Sequence, residues 1–225
     1  MKTNVRLGLI LLLIGAGNGS IVVAASDGIA EPRDTALDRG TQRDNIMPRH
    51  NLNANIGRTQ PDARHEITEL FMYTCPHCHS MAKPLATWAS EQEADVAFVQ
   101  APVVFRDADV DYLRLHHGLI SLGMDQATVQ SGIFDAIHTQ HMPLRKRQDF
   151  VALGIKISRR TGEAIEKAMD SFAVSSKVKQ SKLTFAQSGA HSVPTFVVDG
   201  EYRIDPADAG SLDDIMNTLT ASVVN

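Results

Sequence analysis

Cysteine is nearly missing from this chain: two occur among 225 residues, as neighbours in Cys75-Pro76-His77-Cys78. That count excludes a scaffold held by several disulfides. Long blocks of positive charge are also missing. The 22 basic and 26 acidic side chains are interspersed and give a formal net charge of -4, so nothing here is built to release counterions from a nucleic-acid backbone. Nucleic acid is not an expected partner. Room for two large cores is lacking too. With 43% hydrophobic and 21% charged side chains, 225 residues fit one domain or one domain with an insertion.

What is present begins with a leader-like N-terminus. Lys2 and Arg6 precede an apolar run from Leu7 to Ile14, followed by Gly15, Gly17, Asn18, Gly19 and Ser20, with Val23 and Ala25 ahead of Ser26. This order reads as a signal peptide over 1–25, cut before Ser26. The competing reading is an uncleaved anchor over Val5 to Ala25, a stretch just long enough to cross a bilayer. Both place the bulk of the protein outside the cytoplasm. Residues 26–63 are rich in Asp, Arg, Asn, Thr and Gly without a period of 2 or 3.6, and read as a flexible polar segment, with a dimerisation arm as the alternative.

A domain is expected over 64–225. Glu66 to Tyr73 is short, apolar and aromatic and reads as a buried strand running into a helix over Cys75 to Ser90. Pro76 suits the first helical turn, whereas Pro84 should kink the helix. Asp95 to Ala101 reads as a second strand, with Val96, Phe98 and Val99 as core candidates. Between about 107 and 189 the pattern turns helical, with Val129, Ile133 and Ile137 at four-residue spacing and Gly123, Gly154 and Gly189 at helix stops. Val193 to Val198, Asp199-Gly200 and Glu201 to Ile204 spell a hairpin. Ser211 with Asp214 caps a last helix whose apolar face is Leu212, Ile215, Met216 and Leu219. The order predicts an α/β thioredoxin-like fold with an inserted all-helical subdomain.

The chemistry centres on Cys75 and Cys78. In an oxidising compartment, two cysteines this close form a working dithiol rather than a staple, because so short a loop constrains little of the unfolded chain. Disulfide exchange needs an exposed attacking thiolate and a second thiol close enough to resolve the mixed disulfide. Cys75, at the positive end of the helix, is the expected nucleophile; Cys78, one turn in and more buried, is the expected resolving thiol. His77 can add a hydrogen bond or partial positive charge toward the Cys75 sulfur. Stabilising the thiolate stabilises the reduced protein, so the disulfide form becomes the stronger oxidant. Val193-Pro194 just before a strand predicts a cis bond facing the dithiol, leaving Val193 backbone groups free to pair with an extended client. No cofactor and no metal is expected. A zinc site using the Cys pair with His77, His79, His116 or His117 is the competing reading, weakened by the lack of a second Cys pair. His138 and His141 read as an exposed helical pair, and His191 as a solvated loop histidine.

Glu69-Leu70-Phe71, Cys75-Pro76-His77-Cys78, Val193-Pro194, and Phe196 to Ile204 with its Asp-Gly turn together resemble the DsbA family, from about Ile67 to about Leu219. The resemblance implies an exported, periplasmic oxidase for newly secreted proteins, re-oxidised by a membrane quinone-linked partner of the DsbB kind. By position, Cys75 is implied as nucleophile, Cys78 as resolving thiol, His77 as thiolate stabiliser and Val193 with Pro194 as the client-facing loop. Pro76 supports the site, and Glu69 matches the family's buried acid beneath the dithiol, a proton relay or pKa modifier for Cys78. The lysine that usually accompanies this acid is replaced by Gln100, which favours a protonated Glu69. His79 stands where the family often has an aromatic residue. Two other functions remain open at this point: an isomerase or reductase kept reduced, dimeric through 26–63, and a non-catalytic zinc or chaperone-like module.

Overall fold

A computed structural model describes residues 54–206 and 210–224. The expected leader, 1–25, and the polar segment as far as residue 53 lie outside these. Among the described residues the elements follow in the order β1 (His65–Phe71), α1 (Pro76–Ser90), β2 (Val96–Pro102), a 3-10 turn (Asp107–Asp109), α2 (Val110–Ser121), α3 (Gln126–Phe134), a π-helical turn (Asp135–Thr139), α4 (Arg147–Ser158), α5 (Gly162–Met169), α6 (Phe172–Ser188), β3 (Thr195–Val198), β4 (Tyr202–Ile204) and α7 (Leu212–Val223). The sheet order is β2-β1-β3-β4, with β1 parallel to β2 and antiparallel to β3. This is the α/β core with a helical insertion that the order of sequence patterns predicts.

Both faces of the sheet are covered, which is why all seven residues of β1 are buried. Cys78, Met81, Leu85 and Trp88 fall on one stripe of α1. Met81, Leu85 and Trp88 pack with Ile67, Phe196, Val198, Ile204 and, from α7, Ile215 and Leu219. The other face holds Leu70, Met72, Val103 and Val197. Leu85 has no exposed surface, so trimming it to Ala would cost about 2–5 kcal/mol. The expected kink site Pro84 lies inside α1, which runs through it without a break. In β2, Val96 and Phe98 are only half-buried against the α1 layer.

The helical insertion has its own core, formed by Leu115, Leu119, Val129, Ile133, Phe134, Phe150, Leu153, Ile165 and Met169, and Phe71, Tyr73 and Cys78 belong to the same cluster. The end of β1 and the inner cysteine are therefore walled by the insertion. Asp199 and Gly200 have φ of 52° and 77°, the left-handed pair that a two-residue hairpin turn demands. Ser211 and Asp214 form the expected capping box on α7.

Residues 54–63 correct part of the flexible reading of 26–63. Ala54 N-H donates to Glu201 O at 3.0 Å, Ile56 N-H to Gly200 O at 3.3 Å, and Thr59 N-H to the carboxylate of Glu66 at 2.7 Å. Ala54 is buried, and Ile56 packs on the sheet with it. Among the described residues no helix is long and apolar enough to cross a membrane.

Candidate active site

Both cysteines are free thiols, Cys75 half-exposed and Cys78 buried. Cys75 is the N-cap of α1, with extended φ and ψ of -88° and 117°, and Pro76 opens the helix. Its carbonyl accepts the first helical bond, from His79 N-H at 3.2 Å, and its own N-H donates to Met72 O at 3.1 Å. Pro76 has no N-H, and those of His77 and Cys78 precede the first helical donor, His79 N-H, so the outer sulfur sits at the positive end of the helix. No acidic side chain occupies that first turn to compete for it.

The Val193-Pro194 bond is cis. Its loop lies against the dithiol: Cys75 Sγ donates to Val193 O at 3.4 Å. Strand β3 begins at Thr195, whose hydroxyl donates to Ser192 O at 2.9 Å and so ties the loop to the strand. Beside the loop is a cavity of about 370 Å³ whose lining includes His77, Met81, Val193, Pro194, Leu212 and Ile215. Leu212, expected on the buried face of α7, is 37% exposed and turns toward this cavity. The sequence pattern misses this role because position 212 shares the apolar period of α7 and only the packing of that helix reveals its side. His77 is exposed on the cavity wall. Among the described residues no hydrogen bond joins it to the Cys75 sulfur.

Burial pushes the Cys78 thiol far above the ordinary cysteine range; the charges of Cys75 and Glu69 act in the same direction, opposed by a backbone hydrogen bond with Met72. A free Cys78 is therefore held as a thiol. The β1-β2 register sets Glu69 beside Gln100, and Gln100 Nε2 donates to Glu69 Oε2 at 2.8 Å. Glu69 is 1% exposed. Burial raises its pKa to about 7, the Gln100 hydrogen bond offsetting part of the rise, so near neutral pH it carries a proton about half the time.

His138 and His141 depart from expectation. His138 belongs to the π-helical turn, half-buried, and its Nε2-H donates to Tyr73 O at 2.8 Å. Its ring stacks on His79, centroids 4.7 Å apart and planes 7° apart. His141 has φ of 51° and stands outside the helices, so the two do not form an exposed helical pair. His116 is buried, with Nδ1 2.6 Å from Tyr73 Oη, and burial holds its pKa down to about 3. His117 is lowered to about 4, again chiefly by burial. Both rings are neutral at neutral pH. Among the described residues no group of three or more His, Cys, Asp or Glu side chains is gathered to hold a metal ion. His191 is exposed and outside the cavity wall.

The sequence matches the profile of the DSBA-like thioredoxin domain over residues 66–219. The chain belongs to this family. It is 33% identical over 158 residues to the "Thiol:disulfide interchange protein DsbA" of Burkholderia cepacia, covering 68% of this chain and 71% of that protein. The protein of the same name from Pseudomonas aeruginosa is 30% identical over 167 residues, covering 71% and 74%. The crystal structure of Pseudomonas aeruginosa DsbA aligns with a TM-score of 0.67 at 26% identity, over 76% of this chain and 87% of that one. DsbA from Xylella fastidiosa gives 0.66 at 19% identity, over 75% and 88%, a likeness of fold alone. The match to the DSBA-like domain spans every element from β1 to most of α7, the helical insertion included.

Proposed function

We propose that this protein is a disulfide-donating thiol:disulfide oxidoreductase acting on reduced secreted proteins in the periplasm, with Cys75 as the exchanging sulfur. The observation that carries the reading is the placement of Cys75: at the N-terminus of α1, half-exposed, 3.4 Å from Val193 O, with a fully buried Cys78 one turn behind it. Family membership supports donation rather than isomerisation, since the relatives above are interchange proteins of the DsbA kind.

In the oxidised protein a client thiolate attacks Cys75 Sγ. The Cys75-Cys78 bond breaks, Cys78 leaves as a thiolate, and a mixed disulfide joins Cys75 to the client. Cys78 then takes up a proton, for which Glu69 is the buried acid in this part of the molecule. A second client thiolate attacks the client sulfur of the mixed disulfide and expels Cys75 as a thiolate. Two electrons pass from the client dithiol to the protein, and the client keeps the disulfide. The positive end of α1 favours negative charge on the departing Cys75 sulfur, which drives this last step. Re-oxidation falls to a membrane quinone-linked partner of the DsbB kind.

The client lies in the cavity beside the Val193-Pro194 loop, its backbone beside Val193 and an apolar side chain against Pro194, Leu212 and Ile215. His77 on the cavity wall contacts this client rather than bonding the Cys75 sulfur. The test is oxidation of a reduced two-cysteine peptide by the stoichiometrically oxidised protein. The wild type converts one equivalent. Cys75→Ser converts none, while Cys78→Ala, charged as a mixed disulfide on Cys75, passes its sulfur adduct to the peptide. Equal peptide oxidation by Cys75→Ser and wild type would overturn the assignment.

A further inference from the structure

Residue Tyr73, two positions ahead of the outer cysteine, is gripped from the helical insertion at both its side chain and its backbone. His116 of α2 meets its hydroxyl at 2.6 Å, and His138 donates its Nε2-H to the Tyr73 carbonyl at 2.8 Å. The second contact is unusual in construction. Helix α3 gives way to a π-helical turn at Asp135, and it is this turn that carries His138 to the strand-to-helix corner. A carbonyl oxygen only accepts, so the tautomer is fixed with the proton on Nε2.

The corner itself is short. Met72 O accepts from Cys75 N-H at 3.1 Å, which leaves the Tyr73 carbonyl outside that turn's own hydrogen bonding. Its acceptor need is met by His138. The same ring lies flat on His79, whose N-H makes the first hydrogen bond of α1 with Cys75 O, and Phe134 flanks both rings at centroid distances of 5.6 and 5.9 Å. One imidazole thus touches both sides of Cys75 in the chain: the carbonyl two residues before it and the side chain four residues after it.

We propose that His138 is a positioning residue for the disulfide exchange, its Nε2-H fixing the corner that aims Cys75 along the axis of α1 and so setting the dithiol-disulfide equilibrium. The inference rests on the oxidoreductase reading above. Losing the donor leaves the carbonyl of the buried Tyr73 unmet and lets the Met72–Cys75 turn rotate, and the thiolate is stabilised only while its sulfur stays on the helix axis within the first turn. The contact belongs to the helical insertion, so the insertion tunes the redox site as well as walling it.

The experiment measures the equilibrium constant of the full protein's dithiol with a glutathione buffer for wild type, His138→Gln, His138→Phe and Phe134→Leu. Glutamine keeps an N-H donor without the ring, phenylalanine keeps a ring on His79 without the donor, and Phe134→Leu reports a packing change that spares the carbonyl. The expected result is a shift of about threefold or more for His138→Phe, toward the disulfide form, with His138→Gln and Phe134→Leu within about twofold of wild type. Should His138→Phe not fold, His138→Met takes its place with the same expectation. An unchanged constant in the donor-free variant, or an equal shift in His138→Gln, overturns the proposal. Peptide oxidation by the wild type in the same buffers separates the two claims: its absence defeats the oxidoreductase reading, whereas its presence with unchanged His138 variants defeats this inference alone.

Discussion

Glu69 is the residue on which sequence and surroundings bear most directly. It is buried beside Gln100 with a pKa raised to about 7 from an ordinary 4.5. In the unfolded chain this carboxyl ionises near 4.5, so between that pH and about 7 the folded protein holds a proton the unfolded chain has lost. Its contribution to stability is complete below about 4.5 and is lost as pH rises through 7, about 3 kcal/mol in all. Glu69→Gln keeps the shape and an acceptor for Gln100 but cannot ionise. Denaturant unfolding of the reduced proteins should show the variant gaining on the wild type from pH 5 to pH 8 by an amount of that order, and parallel profiles would refute the buried-acid account. The replacement of a lysine by Gln100 was readable in the sequence, and the β1-β2 register turned it into a hydrogen bond. His138 was not readable in this way. Its role depends on a π-helical turn, for which spacing offers no signal, and on a backbone carbonyl, which carries no residue identity.

At the scale of elements, the strands and the hairpin were legible because their signals are local. Short apolar runs stopped by Asp-Gly or Pro do not depend on distant partners. The docking of residues 54–59 was hidden for the opposite reason. It is made through backbone groups and through Glu66, an acid that a strand pattern gives no cause to bury. Gly200 joins the two. It sits at φ of 77°, and a Cβ there would stand 2.8 Å from the Gly57 carbonyl carbon. Gly200→Ala should therefore lose more than about 1 kcal/mol from the turn conformation alone, and should also loosen the 54–57 segment. Thermal unfolding and limited proteolysis near Gly57 read the two effects. An alanine variant as stable as wild type and equally resistant would remove this role from the glycine.

For the whole molecule, the insertion is where sequence and structure complement each other. Helical spacing and terminal glycines announced a block over about 107–189, and helices occupy that range as far as Ser188. What spacing could not announce is that its core is continuous with Phe71, Tyr73 and Cys78, so the block sets the burial that keeps Cys78 a thiol. The cavity beside the Val193-Pro194 loop was half legible: Val193, Pro194 and His77 belonged to recognisable motifs, whereas Leu212 and Ile215 read only as core positions of the last helix and Met81 carried no signal of its own. The molecule as a whole is arranged so that one sulfur is offered to solvent at a helix terminus and the other is withheld. The central claim is that this asymmetry makes the disulfide form the donor. Equilibration of the dithiol with glutathione tests it most directly. The account predicts that the protein stays reduced while the glutathione pool is mostly oxidised, and a protein that closes its disulfide in mostly reduced glutathione would contradict it.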